Sequence, residues 1–216
     1  MNWPTFQQSK PCWAALLSLL LAVGEMVWTA LPPRGSFYNL ESEGWYRKDA
    51  LHGAEQDSPY IANYVPTPQE VVERMLELAE VRKEDLLYDL GSGDGRIVIT
   101  AARKYGAKAV GFEIDRALVK NSRDRIREAG LEHLVEIREQ DVRTVDLSPA
   151  SVLTMYLSRG ANLRLRSAIT RQLRPGSRVV SHDFGMGNWK PDRTDQLTDS
   201  GGHSRTIYLW RIVPTQ

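Results

Sequence analysis

The sequence predicts an α/β fold with a mostly parallel sheet, helices on both faces and a C-terminal antiparallel strand. From Tyr64 onward, apolar runs of strand length alternate with amphipathic segments of helical period. A glycine-rich turn follows the first of these strands, and acidic residues stand at the ends of the next two. Because right-handed crossovers bring consecutive strands into one parallel sheet, their carboxyl ends meet at one edge, where such folds bind ligands.

The first element of this unit is a helix predicted to start in the sequence TPQE, residues 67–70. Thr67 is expected to cap the helix, Pro68 to occupy its first turn and Glu70 to return the capping bond. An apolar stripe at helical spacing gives the helix a buried face, made of Val71, Val72, Met75, Leu76 and Leu78.

The elements that follow are predicted from their period and from the glycines that end them. Five strands are expected in LLYDL, KAVGFEI, LVEIREQD, SVLTMYL and SRVVSHDF. The helices among them are RIVITAARKYG, RALVKNSRDRIREAG and ANLRLRSAITRQL, of which the first two end at Gly106 and Gly130. The last apolar alternation, SRTIYLWRIV, predicts a late strand that pairs antiparallel with a segment after Trp189.

Composition sets broad limits on function. The 216 residues can bury one good-sized core, and a formal net charge of +1 supplies no global field that would draw nucleic acid. The chain has one cysteine, Cys12, so it can form no internal disulfide, and its four histidines stand at unrelated spacings. No metal site is therefore predicted, and the folded part is expected in a reducing compartment.

The N-terminus is the compositional exception. Residues 13–31, WAALLSLLLAVGEMVWTAL, are apolar apart from two hydroxyl residues and Glu25, and they are about long enough to cross a bilayer as a helix. A cleaved signal peptide and a helix packed on the protein itself are the alternatives. The predicted organisation is a hydrophobic helix and membrane anchor over residues 1–32, a linker over residues 33–63 and a domain over residues 64–216.

The charges beside the apolar segment predict its orientation in a membrane. Lys10 precedes the segment, whereas Arg34, Arg47 and Lys48 follow it. Because basic residues favour the cytoplasmic side, the C-terminal domain is expected in the cytoplasm, attached to the membrane by its N-terminal helix.

The stretch DLGSGDGR, residues 89–96, predicts a cofactor loop between a strand and a helix. Glycines let a ligand approach bare backbone at the start of a helix, and both dinucleotides and S-adenosylmethionine bind to such turns. Dinucleotide loops follow the spacing G-x-G-x-x-G, whereas the three glycines here follow G-x-G-x-G. Asp89 and Asp94 would repel a pyrophosphate and attract a cofactor that carries an ammonium and a sulfonium, which favours S-adenosylmethionine.

This stretch resembles the first motif of class I S-adenosylmethionine-dependent methyltransferases. The resemblance implies a Rossmann-like class I methyltransferase fold. It also implies S-adenosyl-L-methionine as the cofactor, bound by Asp89, Gly91, Ser92, Gly93 and Gly95. A nicotinamide oxidoreductase and an ordinary tight turn are the alternatives.

Acidic residues at the next two strand ends extend the predicted site. Glu113 lies in VGFEID, close to the spacing at which an acid reaches ribose hydroxyls, with Asp115 as the competing acid. The family motif favours Glu113, and Asp115 would instead cap the following helix. Asp141 ends the third strand, where the family places an acid against the adenine amine, and Val142 stands beside it. A lone aspartate at a strand end is otherwise a turn residue.

Four stretches point to the methyl acceptor: YVPTPQEVVERML, LLYDLGSGDGRIVI, VLTMYLSRGANLRLR and LRPGSRVVSHDFGMGNWKPD. Together they resemble, over about residues 60–192, the protein-lysine methyltransferases of mitochondria and their prokaryotic relatives. In animals these enzymes act on the c subunit of ATP synthase and on the adenine nucleotide translocase, both membrane proteins. The resemblance implies methylation of lysine in a membrane-associated protein, and the net charge of +1 indicates no nucleic acid partner. The stretch YLSRG and the short C-terminal end depart from the family, which leaves the identity of the substrate open.

Three side chains are candidates for the reaction itself. Tyr156, at the end of the fourth strand, is expected to line the acceptor pocket and orient a neutral lysine amine, and Tyr64 to close over the cofactor. Core packing of Tyr156 and stapling of the helix start by Tyr64 are the alternatives. His182, at the end of the fifth strand, could accept a proton or have a structural role.

Two other functions fit the same motifs. The acceptor could be a small-molecule amine or hydroxyl. Alternatively, the chain could be a non-catalytic, membrane-tethered module that binds S-adenosylmethionine without turning it over.

Overall fold

The computed structural model describes residues 37–40, 44–47 and 63–214. Near the N-terminus it contains two short strands, β1 (Phe37–Leu40) and β2 (Gly44–Arg47), which pair antiparallel. They fall within the predicted linker, whose sequence has no strand period, and so they were not predicted. The predicted hydrophobic helix at residues 1–32 lies outside the described residues. Within those residues, no helix combines the length and apolar character that crossing a membrane requires.

Helix α1 spans Gln69–Leu78, and its apolar stripe is buried as predicted. The predicted capping box is wrong, because the helix start has no side-chain cap. Thr67 Oγ1 lies instead 3.3 Å from Nδ1 of His182, and the Glu70 carboxylate accepts a hydrogen bond from the Ser200 amide at 2.6 Å. The side chains of Thr67 and Glu70, which the local sequence assigns to the helix start, therefore interact instead with residues distant in the sequence, His182 and Ser200.

Seven further strands form the main sheet. They are β3 (Leu86–Leu90), β4 (Lys108–Glu113), β5 (Val135–Glu139), β6 (Val152–Met155), β7 (Arg178–His182), β8 (Arg193–Thr198) and β9 (Ser204–Arg211). Their order across the sheet is β5-β4-β3-β6-β7-β9-β8. Strands β3 to β7 pair parallel, and β9 lies antiparallel between β7 and β8. The five predicted parallel strands and the antiparallel end of the sheet are confirmed.

The strand order places a crevice between β3 and β6. The chain moves outward from β3 through β4 and β5, then returns to the other side of β3 with β6. The order reverses at this point, and open α/β sheets bind ligands beyond the carboxyl ends of strands at such a reversal. The glycine turn follows β3 and Tyr156 follows β6, so both flank the crevice.

Helices cover both faces of the main sheet, as predicted. They include α2 (Arg96–Tyr105), α3 (Arg116–Glu128) and α4 (Arg159–Gln172). Leu87 in β3 packs in a core cluster with residues of α1, α2 and α3, whereas its neighbour Tyr88 packs in a second cluster with residues of α4. Because adjacent residues of a strand point to opposite faces, the two clusters lie on opposite sides of the sheet.

Gly111 in β4 lets the glycine turn pack closely against the sheet. A Cβ at this position would lie 2.3 Å from Ser92 Oγ, 2.7 Å from Ser92 Cβ and 2.6 Å from Ile137 Cδ1. Ser92 belongs to the glycine turn and is itself buried. Any side chain at position 111 would therefore push the turn away from β4.

Gly111→Ala is expected to lower the free energy of unfolding by about 1–3 kcal/mol, because the added methyl group overpacks a buried site. Urea denaturation measures the loss as a lower midpoint. Gly160→Ala is the matched control, since the nearest atom to a Cβ at Gly160 is Ser158 Oγ at 4.0 Å. Equal midpoints for wild type and Gly111→Ala would contradict the tight packing of the turn.

Candidate active site

A cleft lies at the carboxyl edge of the main sheet, where the glycine turn, the ends of β4 and β5 and the segment after β6 meet. It encloses about 270 Å³. The predicted site residues that line it are Tyr64, Asp89, Gly91, Ser92, Gly93, Glu113, Asp141, Val142 and Tyr156. Of the predicted set, Gly95 and His182 stand outside the lining.

The glycine turn after β3 adopts a left-handed backbone conformation. Gly91, Gly93 and Gly95 have φ values of 76°, 56° and 78°, which side chains disfavour. A Cβ at Gly93 would lie 2.4 Å from Cε2 of Tyr64, and a Cβ at Gly91 would lie 2.6 Å from Cδ2 of Leu157. The turn therefore presents bare backbone at the two points where these side chains approach it.

Amides of this turn are already bonded within the protein. The Gly91 and Ser92 N–H groups both donate to the Phe112 carbonyl at 2.9 Å, and the Gly93 N–H donates to Glu113 Oε2 at 2.9 Å. A pyrophosphate at a helix N-terminus is bound by unpaired amides. Three amides of the turn are occupied here, so the geometry disfavours a dinucleotide loop, as the glycine spacing does.

Asp94, inside the turn, is compensated by two arginines. Arg96 donates to its carboxylate at 2.9 and 2.8 Å, and Arg125 Nη1 lies 2.5 Å from Oδ2. Burial raises the pKa of Asp94, but the hydrogen bonds and charges of the arginines outweigh it, so the pKa lies below its ordinary value. The expected attraction of Asp94 for a cationic cofactor is not supported, because its charge instead links α2 to α3.

Asp89, near the end of β3, has no such compensation. Its side chain is buried, and Thr154 Oγ1 donates to Oδ1 at 2.8 Å. Burial raises the pKa of Asp89 to about 7, while the hydrogen bond from Thr154 opposes the rise and the charge of Glu113 adds to it. Within residues 63–214, no lysine or arginine forms an ion pair with Asp89. A cationic group in the cleft would therefore find a carboxylate without a counter-ion.

Glu113 and Asp115 have different tasks at the end of β4. Besides the bond from Gly93, Glu113 accepts hydrogen bonds from the next two backbone amides through Oε1, at 2.8 and 3.0 Å. Asp115 caps α3 by accepting from the amides of Ala117 and Leu118. The helix-cap interpretation of Asp115 is confirmed, and Glu113 ties the glycine turn to the strand end.

Asp141 and Val142 follow β5 on another wall of the cleft. Asp141 caps a single 3-10 turn, Val142–Thr144, by accepting from the Arg143 amide at 2.9 Å, and the Arg143 guanidinium donates to the same carboxylate at 2.8 Å. The hydrogen bonds from Arg143 lower the pKa of Asp141. The turn interpretation of Asp141 therefore holds, and both residues also line the cleft.

The sequence did not predict which residues form the apolar walls of the cleft. They are formed by Pro66, Ile97, Phe112, Ile114, Leu118 and Leu157, with Gln140 beside them. Several of these residues lie inside the quoted motifs, but the sequence assigns them no role, because their contribution depends on which strand ends adjoin in the sheet. Their positions at strand ends and helix starts are the signal that could have identified them.

Two tyrosines face the cleft from different elements. Tyr64 is 47% exposed, and its ring lies against Gly93. Its segment is tied down by Arg96, whose Nη1 donates to the Thr67 carbonyl at 2.7 Å. Tyr156 is half-buried and lines the cleft beyond the end of β6. Both side chains reach the predicted cleft, and their roles in the reaction stay predictions.

His182 is fully buried next to Tyr156, with 3.9 Å between the ring centroids. Its Nδ1 lies 3.3 Å from Thr67 Oγ1, and its Nε2 lies 3.2 Å from Asp183 Oδ2. Burial lowers the pKa of His182 to about 4, against the opposing charge of Asp183, so the imidazole is neutral at physiological pH. His182 has 0% of its surface exposed and packs against the ring of Tyr156, which favours the structural interpretation of this residue.

The fold and the site together define a class I S-adenosylmethionine-dependent methyltransferase. Residues 89–193 match the family model described as the ANTKMT methyltransferase domain. A crystal structure from Salinibacter ruber, described as an RNA methyltransferase in complex with S-adenosyl-L-homocysteine, is 54% identical in sequence with a TM-score of 0.67. That match covers 70% of this chain and 96% of the other.

Relatives of known name narrow the family. A protein-lysine N-methyltransferase of Saccharolobus islandicus (strain REY15A) is 42% identical over 150 residues, which cover 69% of this chain and 92% of that protein. The chain belongs to the family of class I methyltransferases that contains this protein. The ATP synthase c-subunit lysine N-methyltransferase of Homo sapiens is 33% identical over 129 residues, or 60% of this chain and 54% of the human protein. The chain therefore spans about half the length of the human relative.

S-adenosylmethionine is expected to bind more tightly as the pH rises from about 5.5 to about 7, because a cationic ligand selects the ionised form of Asp89 and the α-ammonium of the ligand stays charged over this range. With a pKa raised to about 7, Asp89 is mostly protonated at the lower pH, which reduces affinity about tenfold. Isothermal titration calorimetry across this range measures the change. Asp89→Asn is the control and is expected to bind weakly with no pH dependence. A flat profile for the wild type would contradict contact between Asp89 and the cofactor.

Proposed function

We propose that this chain is an S-adenosyl-L-methionine-dependent protein-lysine N-methyltransferase. The observation that carries the proposal is that Asp89 and Tyr156 line one cleft, so a carboxylate for a cationic cofactor and an aromatic ring for the acceptor share a single space. Kinship with the protein-lysine N-methyltransferase of Saccharolobus islandicus, at 42% identity, supports lysine as the acceptor.

The residues of the cleft fit the cofactor. Gly91 and Gly93 let the side chains of Leu157 and Tyr64 approach the bare backbone of the turn at the cleft, and Asp89 offers a buried carboxylate to an ammonium. Glu113 and Asp141 stand at neighbouring strand ends, suited to ribose hydroxyls and to the adenine amine. When bound, the cofactor supplies a methyl group on a sulfonium sulfur, which an amine lone pair takes in an in-line displacement while the carbon–sulfur electron pair stays on sulfur.

Tyr156 prepares the acceptor for this step. An amine can attack only after its ammonium form has lost a proton to water, and an apolar surrounding favours the neutral form. The Tyr156 ring supplies such a surrounding, and its hydroxyl can hydrogen-bond the amine and aim its lone pair. His182 packs against this ring at 3.9 Å and holds it in place.

Tyr156→Phe is expected to lower kcat roughly tenfold or more, because positioning through the hydroxyl is lost while the ring remains. The affinity for S-adenosylmethionine is expected to stay unchanged, as measured by calorimetry. Tyr208→Phe, on β9, is the matched control and should turn over at the wild-type rate. Wild-type turnover by Tyr156→Phe would remove the hydroxyl from the reaction.

RNA methylation is the second candidate function. The Salinibacter ruber protein, which is 54% identical, favours it, because its structure is described as an RNA methyltransferase. A net charge of +1 provides little general attraction for RNA phosphates, and for this reason we prefer lysine. The acceptor assay must therefore offer RNA and protein side by side.

The assay incubates the purified full chain with methyl-labelled S-adenosylmethionine and extracts of cells that lack the protein. The extracts are divided into membrane proteins, soluble proteins, RNA and small molecules. Label is expected in protein, resistant to ribonuclease, and mass mapping is expected to place it on lysine. Gly93→Val is the inactive control, because its Cβ would collide with Tyr64. Label confined to RNA or to metabolites would refute lysine methylation, and cofactor binding without any labelled product would indicate a non-catalytic module.

We also propose that the acceptor is membrane-associated and that residues 1–32 anchor the domain to the cytoplasmic face of a membrane. The length and apolar character of residues 13–31 support the anchor, and the human relative, whose name gives an ATP synthase protein as its target, supports such an acceptor. In the same assay, a chain that begins at residue 33 is expected to label membrane proteins more slowly and soluble proteins equally fast. Equal labelling of the membrane fraction by both chains would contradict the anchor.

A further inference from the structure

The segment after β7 contains an unusual turn centred on Asp183. Among residues 63–214, two residues other than glycine have a left-handed φ, Glu80 at 52° and Asp183 at 57°. Glu80 follows the C-cap of α1, where a left-handed backbone is ordinary. Asp183 instead follows a strand, and the Phe184 N–H donates to the His182 carbonyl across it at 2.7 Å. This bond makes Asp183 the centre of a γ-turn, a strained conformation that clusters at functional sites.

Neighbouring groups hold the Asp183 turn in this shape. The Asp183 N–H donates to the Thr206 carbonyl at 2.7 Å, and the Thr206 N–H donates to Asp183 Oδ1 at 2.9 Å. Arg205 Nη1 and His182 Nε2 lie 3.3 and 3.2 Å from Asp183 Oδ2. Backbone and side chain are thus both fixed by Thr206 and Arg205 of β9, and the carboxylate still retains exposed surface, 23% of the side chain.

The two residues that flank Asp183, His182 and Phe184, both pack against the ring of Tyr156. The Tyr156 ring packs on His182, whose Nε2 is the atom that faces Asp183. Phe184, the residue after the turn, stacks on Tyr156 with ring centroids 6.1 Å apart and planes at 16°. Tyr156 lines the cleft, whereas Asp183 and Phe184 are not among its lining residues, so this aromatic and acidic group is connected to the predicted acceptor side of the site through Tyr156.

The charges around Asp183 leave an excess of negative charge. Arg205 reaches both Asp183, at 3.3 Å, and Asp199, to which its Nε donates at 2.8 Å. One guanidinium and two carboxylates leave a net charge of −1 for these three groups while His203, whose Nδ1 lies 3.4 Å from Asp199 Oδ1, is uncharged. His182 adds no positive charge, because burial lowers its pKa to about 4. A carboxylate with spare negative charge next to aromatic rings suits an organic cation.

We propose that the Asp183 carboxylate, with the rings of Tyr156 and Phe184, binds the side-chain ammonium of the acceptor lysine before methyl transfer. This inference rests on the proposed function, since it takes lysine as the acceptor. Asp183 binds the charged form of the amine, which then releases its proton to water. Because positive charge returns to the nitrogen as the carbon–nitrogen bond forms, Asp183 stabilises the bound ammonium and the transition state alike, and its loss is expected in KM and not in kcat.

Asp183→Asn separates charge from structure. Asparagine tolerates a left-handed φ, and its side-chain oxygen can still accept the hydrogen bond from Thr206, so the turn is expected to persist. Asp195→Asn is the matched control, because Asp195 pairs with Arg74 at the edge strand β8, away from the cleft. Phe184→Leu is the second variant, since it removes a ring and leaves Asp183 in place.

The first measurement is steady-state methylation of a lysine peptide from the protein labelled in the acceptor assay. Asp183→Asn is expected to raise the peptide KM roughly tenfold and Phe184→Leu a few-fold, with kcat and the affinity for S-adenosylmethionine within about twofold of wild type. Asp195→Asn is expected to leave all three unchanged. An unchanged peptide KM in Asp183→Asn, or a loss that falls equally on cofactor affinity and thermal stability, would overturn the ammonium site.

The second measurement needs no turnover. Nα-acetyl-lysine methylamide is titrated into the full chain in the presence of S-adenosyl-L-homocysteine, with the uncharged norleucine analogue as control. Wild type is expected to bind the lysine compound and not the norleucine compound, and Asp183→Asn neither. Such binding without protein methylation would sink the proposed function and keep the site. Lysine methylation with equal binding by wild type and Asp183→Asn would sink the site and keep the function.

Discussion

The binding edge of the sheet depends on the backbone hydrogen bonds that tie the glycine turn to the end of β4. Gly91 and Ser92 donate to a single carbonyl, that of Phe112, and Gly93 donates to the Glu113 carboxylate. These bonds occupy amides that a phosphate group would need, and they fix the turn so that its bare backbone borders the cleft. A strand end, a turn and an acidic side chain are thereby joined into one rigid unit. The ring of Tyr64 lies against this unit, and the neighbouring strand ends line the same cleft, which we propose as the cofactor half of the site.

Asp89 and Asp94, the two acids of the glycine-loop motif, have different electrostatic surroundings. Asp94 is paired with Arg96 and Arg125, so its charge stabilises the packing of helices. Asp89 is buried beside Thr154, no lysine or arginine among residues 63–214 pairs with it, and burial raises its pKa to about 7. An ionised carboxylate that is buried without a paired cation raises the free energy of the ligand-free protein, and a bound cation stabilises it. Of the two acids in the loop, Asp89 is therefore the one whose charge no arginine among residues 63–214 compensates, and it is the one that we propose meets the cationic cofactor.

The other half of the cleft is organised by the ends of β6 and β7. His182 is the centre of this half, since Thr67, Tyr156 and Asp183 all contact its ring or ring nitrogens. A neutral, fully buried imidazole can support an aromatic ring and a carboxylate without adding a charge that would repel an ammonium. In the proposed function, the ends of strands β3 to β5 bind the cofactor, and the ends of β6 and β7 receive the acceptor. The reversal of strand order between β3 and β6 brings the two sides face to face.

The sequence by itself determined the parallel strands and the helices that pack on them, because the period of apolar residues and the glycines that end helices are local signals. It also determined the cofactor loop, since three left-handed positions in five residues require glycine. The tertiary structure alone decided the partners of Thr67, Asp94 and Asp183. Thr67 contacts a histidine 115 residues away, Asp94 meets an arginine from another helix, and Asp183 is held in its turn by β9. Pairings of this kind depend on which segments the sheet order brings together, and no local pattern encodes that order.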